Sequence, residues 1–128
     1  MNILIIEDDF LIKTQIEELL QELGHLVLGS FTNASDAIAF VKGNKPDFVF
    51  MDIDLQGQMD GIECAKILKM EFNIPSIFLT SHLEEQANSM GADALCFLPK
   101  PFNDELIKEA VSSAIRKLRK ETVLPQKK

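Results

Sequence analysis

Phe48-Val49-Phe50-Met51-Asp52-Ile53-Asp54 is an unbroken apolar run that stops at an aspartate, with a second aspartate two residues on. A run this short and rich in β-formers predicts a strand buried on both faces, the kind found in parallel sheets covered by helices. The same pattern recurs outward along the chain. Ile3-Leu4-Ile5-Ile6 ends at Glu7-Asp8-Asp9, Pro75 opens a run through Ile77-Phe78-Leu79 that stops at Thr80-Ser81, and Leu95 to Leu98 ends at Pro99-Lys100-Pro101. His25 to Gly29 predicts one further strand.

Between these runs lie amphipathic stretches with helical spacing. Leu11, Ile12, Ile16, Leu19, Leu20 and Leu23 mark the first, stopped by Gly24. Asn33 caps a second carrying Ala34, Ala37, Ile38 and Val41, and Asp60 with Glu63 forms a capping-box pattern ahead of Ile62, Ala65, Leu68 and Phe72. A short stretch from Leu83 to Met90 predicts a fourth helix. Asn103 opens a long last one with Leu106, Ile107, Ala110, Val111, Ala114, Ile115 and Leu118 inward. Five strand–helix units without an internal linker predict one α/β domain, a doubly wound five-stranded parallel sheet. Its boundaries are set at 1–121, with 122–128 as a tail or linker stub.

Composition narrows the classes. The 128 residues are 46% apolar and 26% charged, ordinary for a folded domain. No apolar run approaches the ~20 residues of a membrane span, and the opening MNILIIEDD lacks the basic start of a signal peptide, so a cytoplasmic chain is expected. Cys64 and Cys96 lack metal-ligand or CxxC spacing and read as buried thiols in a reducing compartment. The net charge of −7 is uneven: residues 1–107 carry 6 basic and 18 acidic side chains, residues 108–128 carry 7 and 2. So acidic a body repels a phosphate backbone, which argues against direct nucleic-acid binding. Arg116-Lys117 and Arg119-Lys120 read as the solvated end of the last helix, where cations suit the helix dipole.

In such sheets ligands gather beyond the carboxyl ends of the strands. The groups placed there are Glu7, Asp8 and Asp9 after the first strand, Asp52 and Asp54 after the third, Thr80 and Ser81 after the fourth, and Lys100 after the fifth. Glu7, Asp8 and Asp52 with Lys100 leave two net negative charges, which a divalent cation would neutralise; oxygen ligands without a His/Cys set favour Mg²⁺. Asp9, Asp36, Asp60 and Asp104 are explained as helix caps. Glu7, Asp8 and Asp52 are not, because two consecutive acids exceed what one cap uses.

Ile6-Glu7-Asp8-Asp9, Phe50-Met51-Asp52-Ile53-Asp54-Leu55, Met59-Asp60-Gly61-Ile62, Leu79-Thr80-Ser81 and Lys100-Pro101-Phe102 occur in this order at nearly one family's spacing. Over about residues 2–120 the sequence resembles the receiver domains of two-component response regulators. The resemblance implies a flavodoxin-like fold with strand order 2-1-3-4-5 and a phosphorylation-switched signalling role rather than turnover catalysis. It makes Asp52 the nucleophile that takes a phosphoryl group from a histidine kinase or a histidine phosphotransfer protein. It assigns Mg²⁺ to Glu7, Asp8, Asp52 and the backbone carbonyl of Asp54, gives Lys100 and Thr80 to the phosphoryl oxygens, and makes the Lys100–Pro101 peptide cis. Thr80 and Phe97 become the switch pair. The face of the fourth helix, fifth strand and fifth helix becomes the readout surface and a candidate homodimer contact.

Three departures stand out. Gln56-Gly57-Gln58 replaces the commoner proline turn, the Thr80-to-Lys100 interval is about two residues short, and Asp54 and His82 each lie two residues past a site residue, where they are candidates for steering the water that ends the phosphorylated state. Two other functions compete. The DxD after an apolar strand also resembles haloacid-dehalogenase-type phosphatases, though that family's acidic pair should follow the lysine; a vestigial, interaction-only receiver is the other. The chain begins at the first strand and closes just after the last helix. That suits either a stand-alone regulator or the front part of a longer protein joined near Val123-Leu124-Pro125.

Overall fold

The computed structural model describes residues 1–81 and 94–123. Five strands, β1 (Asn2–Ile6), β2 (Leu26–Phe31), β3 (Phe48–Asp52), β4 (Ser76–Thr80) and β5 (Cys96–Pro99), form one parallel sheet in the order β2-β1-β3-β4-β5. The described helices are α1 (Phe10–Glu22), α2 (Ala34–Val41), α3 (Gly61–Phe72) and α4 (Asp104–Val123). None of them is long and apolar enough to cross a membrane. His82 and the helix expected over 83–90 lie outside the described residues.

The unbroken apolar runs are explained by two cores, one on each face of the sheet. Strand alternation sends Ile3, Ile5, Phe48, Phe50, Ile77 and Leu79 to one face, where they meet Ile16 and Leu20 of α1 and Ile107, Val111 and Ala114 of α4. Leu4, Ile6, Val49, Met51 and Phe78 go to the other, against Ala37 and Val41 of α2 and Cys64 and Leu68 of α3. Each burial of a Leu- or Ile-sized side chain contributes about 1.5–3 kcal/mol, so both helical layers are held chiefly by this contact.

Caps set where the helices begin. Asp9 accepts from the amides of Leu11 and Ile12, and Asp60 accepts from Glu63. Asp36 and Asp104 are not the caps the sequence suggested. Asn33 accepts from the Asp36 amide and Asn103 from that of Leu106, leaving both acids in the first turn, where a negative charge still favours the helix dipole. The second strand starts one residue later than expected and runs on to Phe31, because the left-handed Gly24 (φ 89°) draws His25 into the turn. As an edge strand it is only half buried, and its pairing with β1 slips between Ile3 and Leu4. The last helix continues to Val123, two residues past the boundary drawn at 121.

Candidate functional site

The strand order reverses between β1 and β3, so the crevice opens where those two strands end. Glu7 follows β1 directly and Asp52 is the last residue of β3. The Glu7 amide donates to Phe31 O across the strand ends, and Ile53 N donates to Leu79 O, which fixes both backbones in the sheet. Thr80 ends β4 and is fully buried. Lys100 follows β5, its N–H donates a 2.8 Å hydrogen bond to Thr80 O, and the Lys100–Pro101 peptide that follows is cis.

These elements bring four of the expected side chains together. Lys100 Nζ lies 3.1 Å from Asp52 Oδ1 and 3.0 Å from Glu7 Oε1. Carboxylate oxygens of Glu7, Asp8 and Asp52 all lie within 4.8 Å of one another. Glu7 and Asp52 are buried at 0% and 2% exposure, whereas Asp8 faces solvent. Two backbone amides orient the buried pair: Asp9 N–H donates to Glu7 Oε2 and Asp54 N–H to Asp52 Oδ1.

Burial dominates the electrostatics. It pushes the Glu7 carboxyl up to about 7; the Asp9 amide works against the rise, the Asp52 charge adds to it, and Lys100 opposes it. Asp52 is likewise raised by burial, with Lys100 the main opposing influence. Burial works against the Lys100 charge too, but the two carboxylates outweigh it and hold the ammonium above its ordinary value. Glu7 Oε1 is fully buried and faces the Lys100 ammonium at 3.0 Å, while Glu7 Oε2 accepts from the Asp9 amide. Three carboxylates gathered with no His or Cys among them form an all-oxygen donor set suited to a hard divalent cation such as Mg²⁺.

Two candidates stand apart from the cluster. Phe97 stacks on Phe78 with ring centroids 5.8 Å apart and is only partly buried. The Asp54 side chain is exposed; its amide orients Asp52, and its carbonyl accepts a long, 3.4 Å bond from Gln56 Nε2. Sequence reasoning missed the contact of Lys100 with Glu7 and the second use of Asp9, which caps α1 and also holds Glu7. For Asp9 the signal was its place two residues past Glu7; the Lys100–Glu7 contact had none, because the two residues lie far apart in the chain. A cavity of about 210 Å³ between α3 and β4, lined by Ile62, Ala65, Ser76 and Phe78 among others, includes none of the site carboxylates.

The comparisons with known proteins agree with this geometry. Residues 3–112 match the family model of the response regulator receiver domain. The sensory transduction protein LytT of Bacillus anthracis is 33% identical over 109 residues, covering 84% of this chain and 44% of LytT. The transcriptional regulatory protein PdtaR of Mycobacterium tuberculosis is 31% identical over 127 residues, covering 96% of this chain and 60% of PdtaR. The chain thus spans about half the length of these curated relatives. The response regulator PhyR from Brucella abortus superposes with a TM-score of 0.88 at 30% identity, over 97% of this chain and 51% of PhyR. The signal receiver domain of a modulated diguanylate cyclase from Desulfovibrio desulfuricans gives 0.82 at 31% identity, over 94% and 97% of the two chains. No support emerges for the phosphatase reading. Because the family match runs across most of the sequence and the sheet order agrees with it, this chain belongs to the receiver domains of response regulators, the phosphorylation-switched modules of signal transduction.

Proposed function

We propose that Asp52 is the phosphoacceptor, taking a phosphoryl group from the phosphohistidine of a histidine kinase or phosphotransfer protein. The observation that carries this is the buried Asp52 carboxylate held between Lys100 Nζ and the Asp54 amide at the sheet's switch point. Those donors fix the carboxylate's orientation before the donor arrives, which removes part of the entropic barrier to transfer. An Asp52 oxygen forms the new P–O bond while the P–N bond to the imidazole breaks, and the imidazole leaves with its electron pair. Lys100 then faces a phosphoryl oxygen as well as Glu7.

Glu7, Asp8, Asp52 and the Asp54 carbonyl would hold Mg²⁺, directly or through water. When bound, the ion offsets negative charge on the phosphoryl oxygens during in-line transfer. The all-oxygen cluster of Glu7, Asp8 and Asp52 supports this assignment.

Phosphorylation replaces one carboxylate charge by about −1.5 to −2 with three acceptor oxygens. In this reading Thr80 is drawn toward one of them and Phe97, now stacked on Phe78, turns into the space released. The readout and candidate homodimer face then runs over β5 and the last helix together with the fourth-helix segment that lies outside the described residues. Asp54 and His82 steer the water that ends the phosphorylated state, giving slow self-dephosphorylation. Residues 1–121 form the receiver and 122–128 a tail or linker. A cytoplasmic location accords with the free thiols of Cys64 and Cys96. Intact-mass spectrometry after acetyl phosphate with Mg²⁺ tests the central step: one added phosphoryl on the native chain and none on Asp52→Asn is expected, and equal labelling of both would overturn it.

A further inference from the structure

Gly61, the first residue of α3, lies against the backbone of Asp52. A β-carbon added there would stand 1.9 Å from Asp52 O, 2.8 Å from Asp52 C and 2.9 Å from Ile53 Cα. All three obstacles are main chain, so no rotamer change relieves the overlap. Gly61 does not have the positive φ of Gly24 or Gly57, so its requirement is for space rather than for a special conformation. The residue is buried, and its amide donates to Ile53 O at 3.2 Å. Asp60 caps the same turn through Glu63 N–H, while Cys64 N–H donates to Asp60 O. The two ends of the 53–60 loop are therefore closed on each other, with the start of a helix seated on the peptide that carries the Asp52 side chain.

We propose that Gly61 is a positioning residue for Asp52: by letting α3 sit directly on the Asp52 peptide, it fixes where the carboxylate stands relative to Lys100 Nζ and the Asp54 amide. A methyl group at 61 forces the β3 end and α3 apart by about 1 Å or more, since carbon–oxygen contacts settle near 3.2 Å or beyond and this one would begin at 1.9 Å. Displacements of that size cost reactions that depend on alignment up to about a hundredfold. The inference rests on Asp52 being the phosphoacceptor.

The test compares the native chain with Gly61→Ala and Ala65→Gly, the latter loosening the same helix one turn on without touching Asp52. Two readouts are taken below the unfolding temperature of each. The first is the rate of labelling by acetyl phosphate with Mg²⁺; the second is the amide NMR shift of Asp54, which reports its bond to Asp52 Oδ1 and needs no phosphorylation. Gly61→Ala is expected to slow labelling at least about tenfold and to move the Asp54 amide, with Ala65→Gly near native in both. Native labelling and an unmoved Asp54 amide in Gly61→Ala overturn the inference, as do equal effects from both variants. A native chain that takes no label refutes the phosphoacceptor reading instead, and the Asp54 amide then decides the positioning role by itself. Should Gly61→Ala not fold, Asp60→Ala frays the turn that holds Gly61 in place. It is expected to shift the Asp54 amide in the native fold, and an unmoved amide overturns the inference.

Discussion

Lys100 Nζ stands 3.0 Å from Glu7 Oε1, a residue 93 positions away in sequence, and the same ammonium reaches Asp52 at 3.1 Å. One cation thus compensates two buried carboxylates, and among the described residues no other cation is paired with either acid. Breaking a buried pair from one side costs about 3–5 kcal/mol when the remaining charge has no relief. Here Glu7, already pushed up to about 7, can take up a proton, so the loss is smaller. Lys100→Ala is expected to lower the metal-free unfolding free energy at neutral pH by about 2 kcal/mol in urea titrations, with Glu7→Gln in the same background restoring part of it.

The raised Glu7 carboxyl has a sign that pH titration can read. The folded chain binds a proton at Glu7 between its unfolded value of 4.5 and about 7, where the unfolded chain does not. Stability from this group is therefore highest at the acid end of that window and falls as pH rises through it. In the presence of a chelator, native stability should lose about 2 kcal/mol more than that of Glu7→Gln between pH 5 and 7. Parallel curves for the two proteins contradict the assignment.

Metal addition is expected to reverse the trend. A divalent ion requires these carboxylates deprotonated, so its stabilisation grows with pH. At about 100 times its dissociation constant Mg²⁺ adds about 2.7 kcal/mol to folding, and the gain should vanish in Asp8→Ala. Thermal unfolding with Mg²⁺ and with chelator measures both. An equal gain in Asp8→Ala places the ion elsewhere.

The two cysteines should be silent. Burial pushes the Cys64 thiol up to about 12 and the Cys96 thiol to about 11. Neither forms appreciable thiolate at pH 8, so buried Cys64 is expected to react with a disulfide reagent only at the pace of unfolding and half-buried Cys96 slowly. Rapid labelling of Cys64 in the native protein would show that its cover opens locally.

Asp54→Asn is expected to change the lifetime of the phosphorylated state, because the Asp54 side chain is exposed beside the acceptor. An unchanged decay rate removes its role in steering water.

Much of the framework was legible because it depends on local periodicity. The runs at Ile3–Ile6 and Phe48–Met51 could be buried on both faces only in a covered parallel sheet, and the acids that ended them marked the mouth of the crevice. The caps at Asn33, Asp60 and Asn103 were visible for the same reason: each acts within one turn. The strand order was not readable from periodicity and came from resemblance. Strand β2 was misjudged at both ends because an edge strand is half exposed and gives a weak alternation signal. The contacts of Lys100 with Glu7 and of Gly61 with Asp52 join residues that only the folded sheet brings together. Neither has a local signature.

The most direct measurement is chemical mapping of the labelled residue. After acetyl phosphate and Mg²⁺, borohydride reduces an aspartyl phosphate to homoserine, and peptide mass spectrometry locates it. The account predicts homoserine at position 52 alone, absent when Mg²⁺ is chelated. Homoserine at position 8 or 54, or an unmodified chain under full labelling conditions, would contradict it.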